Sequence, residues 1–207
     1  MPALEQYISI DIETLGLDPS YCDIIEIGAV IDDLKSPLNQ LKRFHCYVLP
    51  PKRRVKGVKG KVEFYRGSPF AMAMHKEKLE RIANQTEGFQ YLPRFEVAMK
   101  FRLWLLDVQF PGSFGDKITV AGKNFDRLDG RFLSRIPGFD GHNPTYHRVI
   151  DPSMLYMDPK KDALPPGLEK CLHLAGFDKS VDHSAIGDAL DVIRCLRFKW
   201  GIPTNED

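Results

Sequence analysis

The sequence predicts an α/β protein with a mixed sheet of about five strands, the first three antiparallel, flanked by helices. Residues 7–13 alternate apolar and polar side chains, which is the period of a β-strand. Residues 24–31 form a nearly continuous apolar run, which is typical of a strand buried on both faces. A third strand pattern follows, and strands then alternate with helices. This order indicates a mixed sheet.

The other elements follow from the same periodic patterns. We expect further strands at 41–49, near 61–65 (as part of a hairpin), at 118–121 and at 148–151. We expect helices at 70–84, 93–108, 125–135, 167–175 and 184–200. Pro93 falls in the first turn of the second helix, where a missing N–H is harmless. No clear linker divides the chain, so we expect a single domain over residues 1–207.

Composition and charge exclude several classes of protein. The chain has 207 residues, 43% hydrophobic and 28% charged, with a formal net charge of +1, as in an ordinary globular protein. A run of about 18 apolar residues is absent, so we expect no membrane span, and the first residues lack the pattern of a signal peptide. The four cysteines are far apart, which argues against a zinc site or a disulfide framework. We therefore expect a cytoplasmic protein.

One stretch, residues 50–67, concentrates positive charge and is called the basic arm below. Its basic residues are Lys52, Arg53, Arg54, Lys56, Lys59, Lys61 and Arg66. Glu63 is the only acid among residues 52–66. We expect a flexible arm or a long hairpin tip that binds phosphates, with Lys52, Arg53 and Arg54 as candidate contacts. The alternative is an ordinary solvated run of charges.

Two acids mark the end of the first predicted strand. Asp11 and Glu13 are two residues apart, so their side chains point to the same face. The simplest alternative to a functional role is that both acids lie on the solvent-exposed face of an amphipathic strand. A first strand followed quickly by a long apolar strand tends to be central, however, and two acids there need cations to be tolerated. The turn Thr14-Leu15-Gly16-Leu17 then places backbone close to whatever the acids hold.

Three more polar side chains lie where a strand ends or a helix begins. Asp126 follows the strand at 118–121 and opens a predicted helix, where it fits a helix cap equally well. His183 and Asp188 lie at the start of the last helix. The alternative is that His183 is a solvated loop residue and that Asp188 lies on the solvent-exposed face of the helix. The carboxyl ends of strands are where α/β sheets bind ligands. Because carboxylate oxygens suit Mg²⁺ or Mn²⁺, we expect these acids to join Asp11 and Glu13 in one metal site.

These fragments resemble the motifs of a known family. The motifs are Asp11-Ile12-Glu13-Thr14-Leu15-Gly16, Ala121-Gly122-Lys123-Asn124-Phe125-Asp126 and His183-Ser184-Ala185-Ile186-Gly187-Asp188. In this order they are similar to the DEDDh 3′→5′ exonucleases, also called DnaQ-like, which include oligoribonuclease, ribonuclease T and the polymerase proofreading subunit. The resemblance covers about residues 6–198. The sister subclass has a tyrosine four residues before the last aspartate, where this chain has Ser184.

The resemblance implies a ribonuclease H-like fold and a site for two divalent cations, Mg²⁺ or Mn²⁺. Asp11, Glu13 and Asp188 would hold the first ion, Asp11 would bridge to the second, and Asp126 would complete the acidic pocket. His183 would be the general base. The substrate would be the 3′ end of single-stranded RNA or DNA, and the product a nucleoside 5′-monophosphate. Similar small exonucleases are often dimers, so a homodimer stays open.

The resemblance also suggests substrate contacts. In similar enzymes the leucine after the motif glycine wedges between terminal bases, and by position that residue is Leu17, with Thr14 and Leu15 in the same turn. Asn124 is a candidate ligand of the terminal sugar or phosphate, although the second motif is one residue shorter than in the proofreading relatives. Two other functions stay open: a scavenger of very short oligoribonucleotides, and a single-strand-binding module without turnover.

Overall fold

The secondary structure comes from a computed structural model, which describes residues 4–110, 118–139 and 145–204, without side chains at 145–147. The strands are β1 (Tyr7–Thr14), β2 (Ile24–Asp32), β3 (Arg43–Val48), β4 (Lys52–Arg54), β5 (Lys61–Glu63), β6 (Tyr91–Leu92), β7 (Ile118–Ala121) and β8 (Thr145–Ile150). The helices are α1 (Pro69–Met74), α2 (Lys76–Asn84), α3 (Arg94–Asp107), α4 (Asp129–Leu133), α5 (Ser153–Tyr156), α6 (Leu168–Leu174) and α7 (Ala185–Trp200), with a 3₁₀ turn at Leu38–Gln40.

A six-stranded sheet has the order β6-β3-β2-β1-β7-β8. The pairs β1–β2 and β2–β3 are antiparallel, whereas β1–β7 and β7–β8 are parallel. The prediction of a mixed sheet with three antiparallel first strands is therefore confirmed. The additional strand β6 pairs with β3 over two residues, which is too short to produce a sequence period. β4 and β5 form a separate hairpin inside the basic arm.

The two faces of β1 pack against different helices. Ile10 and Ile12 belong to a core that includes side chains of α3 and α4. Tyr7 belongs to a second core with side chains of α7. Because successive side chains of a strand alternate between faces, Asp11 and Glu13 share the face of Tyr7. The acids of β1 therefore point to the side on which α7 packs.

Two predicted helices differ from the structure in extent. The helix predicted at 70–84 is two helices, α1 and α2, which meet at the buried residue His75. The helix predicted at 125–135 contains only α4, because the chain first makes a turn in which Asn124 has a left-handed backbone (φ 57°). Helix α5 was not predicted, since four residues are too few to show a helical period.

Gly28 of β2 lets the start of α7 approach the sheet closely. A Cβ atom at Gly28 would lie 2.4 Å from the carbonyl carbon of Ala185, so only glycine fits without a shift of the backbone. Gly28 is also the residue paired with Asp11 across β1 and β2. The missing side chain therefore brings the first turn of α7 next to the acids of β1.

Two exclusions made from composition can be compared with the structure. The four cysteines are free thiols, and Cys46, Cys171 and Cys195 are buried. They act as packing residues within the cores. Within the described ranges, no helix combines the length and the apolar character needed to cross a membrane.

Candidate metal centre and active site

The acidic pocket lies at the carboxyl end of β1, between β2 and β7. β7 pairs with β1 at Ile8 and Ser9 and ends at Ala121. The last residues of β1 therefore extend past the end of β7, which leaves room beside the strand. Asp11 and Glu13 lie in this part of β1, and Glu13 is only 8% exposed.

Helix α7 supplies a third acid to the pocket. Ser184 caps the helix, because its side chain accepts a hydrogen bond from the Gly187 N–H at 3.1 Å. Asp188 lies in the first turn, where the positive end of the helix favours a negative charge. One carboxylate oxygen from each of Asp11, Glu13 and Asp188 lies within 4.8 Å of the other two. Three of the four acids that the sequence assigned to one site thus lie together.

The fourth acid beside the pocket is Asp129, whereas Asp126 is exposed. Asp129 is 3% exposed, and its Oδ1 accepts a hydrogen bond from the Ile12 N–H at 3.1 Å. Its side chain faces inward because Phe132 and Leu133, three and four residues later, are core residues on the same side of α4. The expectation for Asp126 is therefore corrected: nearness to the end of β7 does not bring it to the acids of β1.

Burial and mutual repulsion make the pocket costly to ionise. Burial raises the pKa of Asp11 well above its usual range, and the charges of Asp129, Asp188 and Glu13 raise it further. Burial also raises the pKa of Glu13 to about 8, against the opposing effect of Lys78. Burial raises the pKa of both Asp129 and Asp188 to about 7. The pocket therefore needs added positive charge to be fully ionised near neutral pH.

The donors in the pocket fit hard divalent cations. Oδ1 of Asp188 is buried and has no hydrogen-bond partner among the described residues. An unsatisfied buried carboxylate oxygen is costly, and a cation would satisfy it. Asp11, Glu13 and Asp188 each bring a carboxylate oxygen to the pocket, and together they form the all-oxygen ligand set that Mg²⁺ and Mn²⁺ prefer.

Lys78 of α2 compensates part of the negative charge. Its Nζ lies 3.2 Å from Oε1 of Glu13 and 2.5 Å from Oε2 of Glu26, and it also donates to the backbone carbonyl of His183. Glu26 is paired with Glu13 across β1 and β2 and is 2% exposed. Burial alone would raise the pKa of Glu26, but hydrogen bonds from His45 and Lys78 hold that pKa below its usual value.

Two histidines near the pocket are in different environments. His75 is 3% exposed, and its Nε2 lies 3.5 Å from Oε2 of Glu13. Burial lowers the pKa of His75 to about 4, and the charges of Lys78 and His183 add to this effect, so His75 is neutral at pH 7. His183 is exposed and directly precedes the cap residue Ser184. An exposed imidazole can exchange protons with solvent, as a general base must.

The turn after β1 has a buried part and an exposed part. Leu15 is fully buried in a core cluster with side chains of β2, β3 and α2, so its side chain stabilises packing and does not face a substrate. Thr14 donates a hydrogen bond from Oγ1 to the Gly16 carbonyl at 2.8 Å, which shapes the turn. Leu17 is 80% exposed. Of the turn's two leucines, Leu17 is the one whose side chain can contact a base.

Asn124 lies in the turn between β7 and α4. Its N–H donates to Oδ2 of Asp151 at 2.9 Å, and its Oδ1 accepts a hydrogen bond from Nζ of Lys123 at 2.6 Å. These contacts stabilise the turn. Asn124 is exposed, so its position does not conflict with a contact to the end of a nucleic acid.

Arg53 anchors the basic arm. Its guanidinium donates two hydrogen bonds to the Asp23 carboxylate, at 2.7 and 2.8 Å, and a third to a backbone carbonyl just after β5. The side chain is only 16% exposed, so the expected direct contact between Arg53 and phosphate is corrected to a structural role. Lys52 makes an exposed ion pair with Glu63 at 3.3 Å, and Arg54 is exposed.

Sequence reasoning missed three residues of the pocket. Glu26 interrupts the apolar run at 24–31, and a charge in a buried strand signals a partner. Asp129 shares a helix face with two apolar residues, which is also visible in the sequence. Lys78 lies on an amphipathic helix and gives no sequence signal, because its role depends on tertiary contacts.

Comparisons with known proteins find structural relatives alone. No protein-family model matches the chain, and no curated protein matches its sequence. E. coli exonuclease I in complex with a dT13 oligonucleotide superposes with a TM-score of 0.61 at 15% identity, over 96% of this chain and 42% of the exonuclease chain. A second exonuclease I structure gives 0.59 at 15% identity, over 94% and 41%. The zinc-bound form of the E. coli enzyme with single-stranded DNA gives 0.56 at 15% identity, over 95% and 40%.

These similarities show a shared fold. At 15% identity they confirm the predicted ribonuclease H-like architecture. The chain spans about two fifths of the length of exonuclease I. Its activity therefore has to be argued from the pocket itself.

The raised pKa values predict how stability depends on pH without metal. Unfolded carboxyl groups have pKa values near 4, whereas those of Glu13, Asp129 and Asp188 are about 7 to 8 in the folded protein. Between these values the folded state binds more protons, so its stability falls as the pH rises. His75 has the opposite effect, since its pKa rises from about 4 to about 6.5 on unfolding. The decline should therefore be clearest between about pH 6.5 and 8.

Thermal unfolding can measure this decline. In EDTA the Tm should fall across that interval, and saturating Mg²⁺ or Mn²⁺ should raise the Tm and flatten the curve, because a cation favours the ionised acids. Asp188→Asn should weaken the stabilisation by metal, whereas Asp126→Asn, at an exposed acid, should not. A Tm that rises with pH in EDTA, or that does not change on addition of metal at about pH 8, would contradict the assignment of the pocket as a metal site.

Proposed function

We propose that this protein is a metal-dependent 3′→5′ exonuclease that acts on single-stranded RNA or DNA. The observation that carries the proposal is the convergence of Asp11, Glu13 and Asp188 within 4.8 Å, at the carboxyl end of the first strand of a ribonuclease H-like sheet. Asp129 lies beside these acids and accepts a hydrogen bond from the Ile12 N–H. The likeness to exonuclease I, which two of the similar structures contain together with single-stranded DNA, supports the substrate class.

Asp11, Glu13, Asp188 and Asp129 would hold divalent cations. Bound there, two such ions supply positive charge to the attacking and the leaving oxygens of a phosphodiester. The acids are fixed for this purpose by β1, by the cap of α7 and by the hydrogen bond between Asp129 and the Ile12 N–H. A preorganised set of ligands of this kind loses little free energy to rearrangement during the reaction.

His183 is the proposed general base. It would take a proton from the water that attacks the terminal phosphodiester, since a histidine side chain can act as a general base and His183 is exposed to solvent. The new bond joins the water oxygen to phosphorus, and the bond to the 3′ oxygen of the preceding nucleotide breaks. That oxygen takes a proton from solvent. The products are a nucleoside 5′-monophosphate and a strand shorter by one nucleotide.

The central test is digestion of 5′-labelled single strands of RNA and of DNA. With Mg²⁺ or Mn²⁺ we expect a ladder that shortens from the 3′ end, and in EDTA intact strands. Asp11→Asn should lower the rate by roughly 10²–10³-fold without loss of the folded state, because it removes a charge and keeps the shape. Equal shortening of the strands in EDTA and with metal would contradict the proposal. Salt-dependent binding with no shortening would indicate a binding module.

A matched pair of variants separates the two candidates for the fourth acid. Asp129→Asn keeps an oxygen for the Ile12 N–H and removes the charge, so kcat/KM should fall by roughly 10²-fold or more. Asp126→Asn alters an exposed side chain and should change kcat/KM by no more than about twofold. Both are measured on the same labelled strand. A larger loss of kcat/KM in Asp126→Asn than in Asp129→Asn would instead identify Asp126 as the fourth acid of the pocket.

Substrate length separates the leading function from the scavenger of short oligoribonucleotides. The exposed cations of the basic arm favour longer strands, because a dinucleotide has too few phosphates to contact them. Replacing Lys56, Lys59 and Lys61 with Gln should reduce the slope of log affinity against log salt by about 2 for a strand of about twenty nucleotides. Hydrolysis of a dinucleotide should stay unchanged.

The control removes the same charge outside the arm, with Gln at Lys35, Lys76 and Lys160, which are all exposed. Binding is measured in the Asp11→Asn background, where the strand is not consumed. Equal salt slopes for the two triple variants would show that the arm does not bind the strand. A strong preference of the wild type for a dinucleotide would favour the scavenger.

A further inference from the structure

We propose that Lys78 is a positioning residue that holds the segment around His183 at the acidic pocket. Its Nζ donates to the backbone carbonyl of His183 and contacts Oε1 of Glu13 at 3.2 Å and Oε2 of Glu26 at 2.5 Å. A lysine ammonium has three donor hydrogens, and these three acceptors match them. Lys78 therefore joins α2, β1, β2 and the residues before α7. The inference rests on the proposed function, in which His183 is the base.

The segment around His183 is held in place by side-chain contacts. Residues 177–184 lie between α6 and α7 and have no regular secondary structure. His183 has a left-handed backbone (φ 52°), which is unfavourable for a residue with a Cβ atom. On its carboxyl side Ser184 is bonded within the cap, with its N–H donating to Oδ1 of Asp182 at 3.0 Å. The bond from Lys78 ties His183 to a helix 105 residues away in sequence.

Lys78 is itself held firmly enough to act as such a tie. Its side chain is 15% exposed, and those of its partners Glu13 and Glu26 are 10% and 3% exposed. Ion pairs in such a site are stronger than those on a wet surface, because less water competes for the charges.

The expected consequence concerns the chemical step. A general base has to lie within hydrogen-bond reach of the water that it deprotonates, and a displacement of about 1 Å can cost about 10²-fold in rate. Loss of Lys78 should therefore lower kcat far more than it raises KM. If Lys78 acts through His183, the loss should disappear when the imidazole is already absent.

A double-mutant cycle tests this coupling. Lys78→Met should lower the single-turnover rate with Mn²⁺ by roughly 30- to 100-fold in the wild type and by less than about 3-fold in His183→Ala. Lys76→Met is the matched control on the same helix, because Lys76 makes an exposed pair with Glu80, and its rate should not change. An equal loss in both backgrounds overturns the proposal, since Lys78 would then act without His183.

Hydrogen–deuterium exchange provides a readout that does not depend on activity. Peptides covering residues 177–184 should exchange faster in Lys78→Met than in the wild type or in Lys76→Met, and unchanged exchange overturns the proposal. If the wild type proves inactive with metal, the proposed function fails, while the exchange still decides whether Lys78 holds the segment. Should Lys78→Met fail to fold, Lys78→Gln is measured against the same criteria.

Discussion

The crowding of carboxylates at the end of a buried central strand is the constraint on which the rest of this structure depends. Alternation along β1 sends Asp11 and Glu13 to one face, and α7 adds Asp188 within 4.8 Å. Each charge makes the others harder to form, and two neighbouring helices, α7 and α2, compensate part of this cost. The first turn of α7 offers its positive end, and Lys78 pairs with Glu13 and with Glu26. The charge that remains is what a divalent cation would neutralise.

The backbone contributes to the same balance. The Ile12 N–H, beyond the part of β1 that pairs with β7, donates to Asp129, so one interaction satisfies a buried amide and orients a buried acid. Gly28 lets the start of α7 lie against β2 at the residue paired with Asp11. A bulkier residue would push Asp188 away and open the acid cluster. The geometry of the pocket thus depends on backbone positions as much as on the acids.

Much of this arrangement could be predicted from the sequence, and the exceptions have physical reasons. Apart from β6, the strands of the sheet show clear periods, and Asp11, Glu13 and Asp188 follow from the end of a predicted strand and the start of a predicted helix. The prediction of Asp126 failed because nearness to a strand end does not decide which side of the following helix faces the core, and Asp129 lies on the side shared with Phe132 and Leu133. The contacts that Lys78 makes with residues 52 to 105 positions away have no local signal in the sequence. Such contacts become visible only when the tertiary structure is known.

The basic arm and the turn after β1 form one connected unit, which bears on how a strand would reach the pocket. The Asp23 carboxylate accepts hydrogen bonds from Arg53 and from the Arg66 N–H at 2.7 Å, and the Asp23 carbonyl accepts one from the Leu15 N–H at 2.9 Å. The Leu15 carbonyl in turn accepts a bond from the Ser68 N–H just after the arm. Arg53 therefore neutralises a buried acid at the arm's base, and the other cations remain outside. Because the arm is fixed to the turn that carries Leu17, a strand bound along it would meet the leucine and the acids in a defined order.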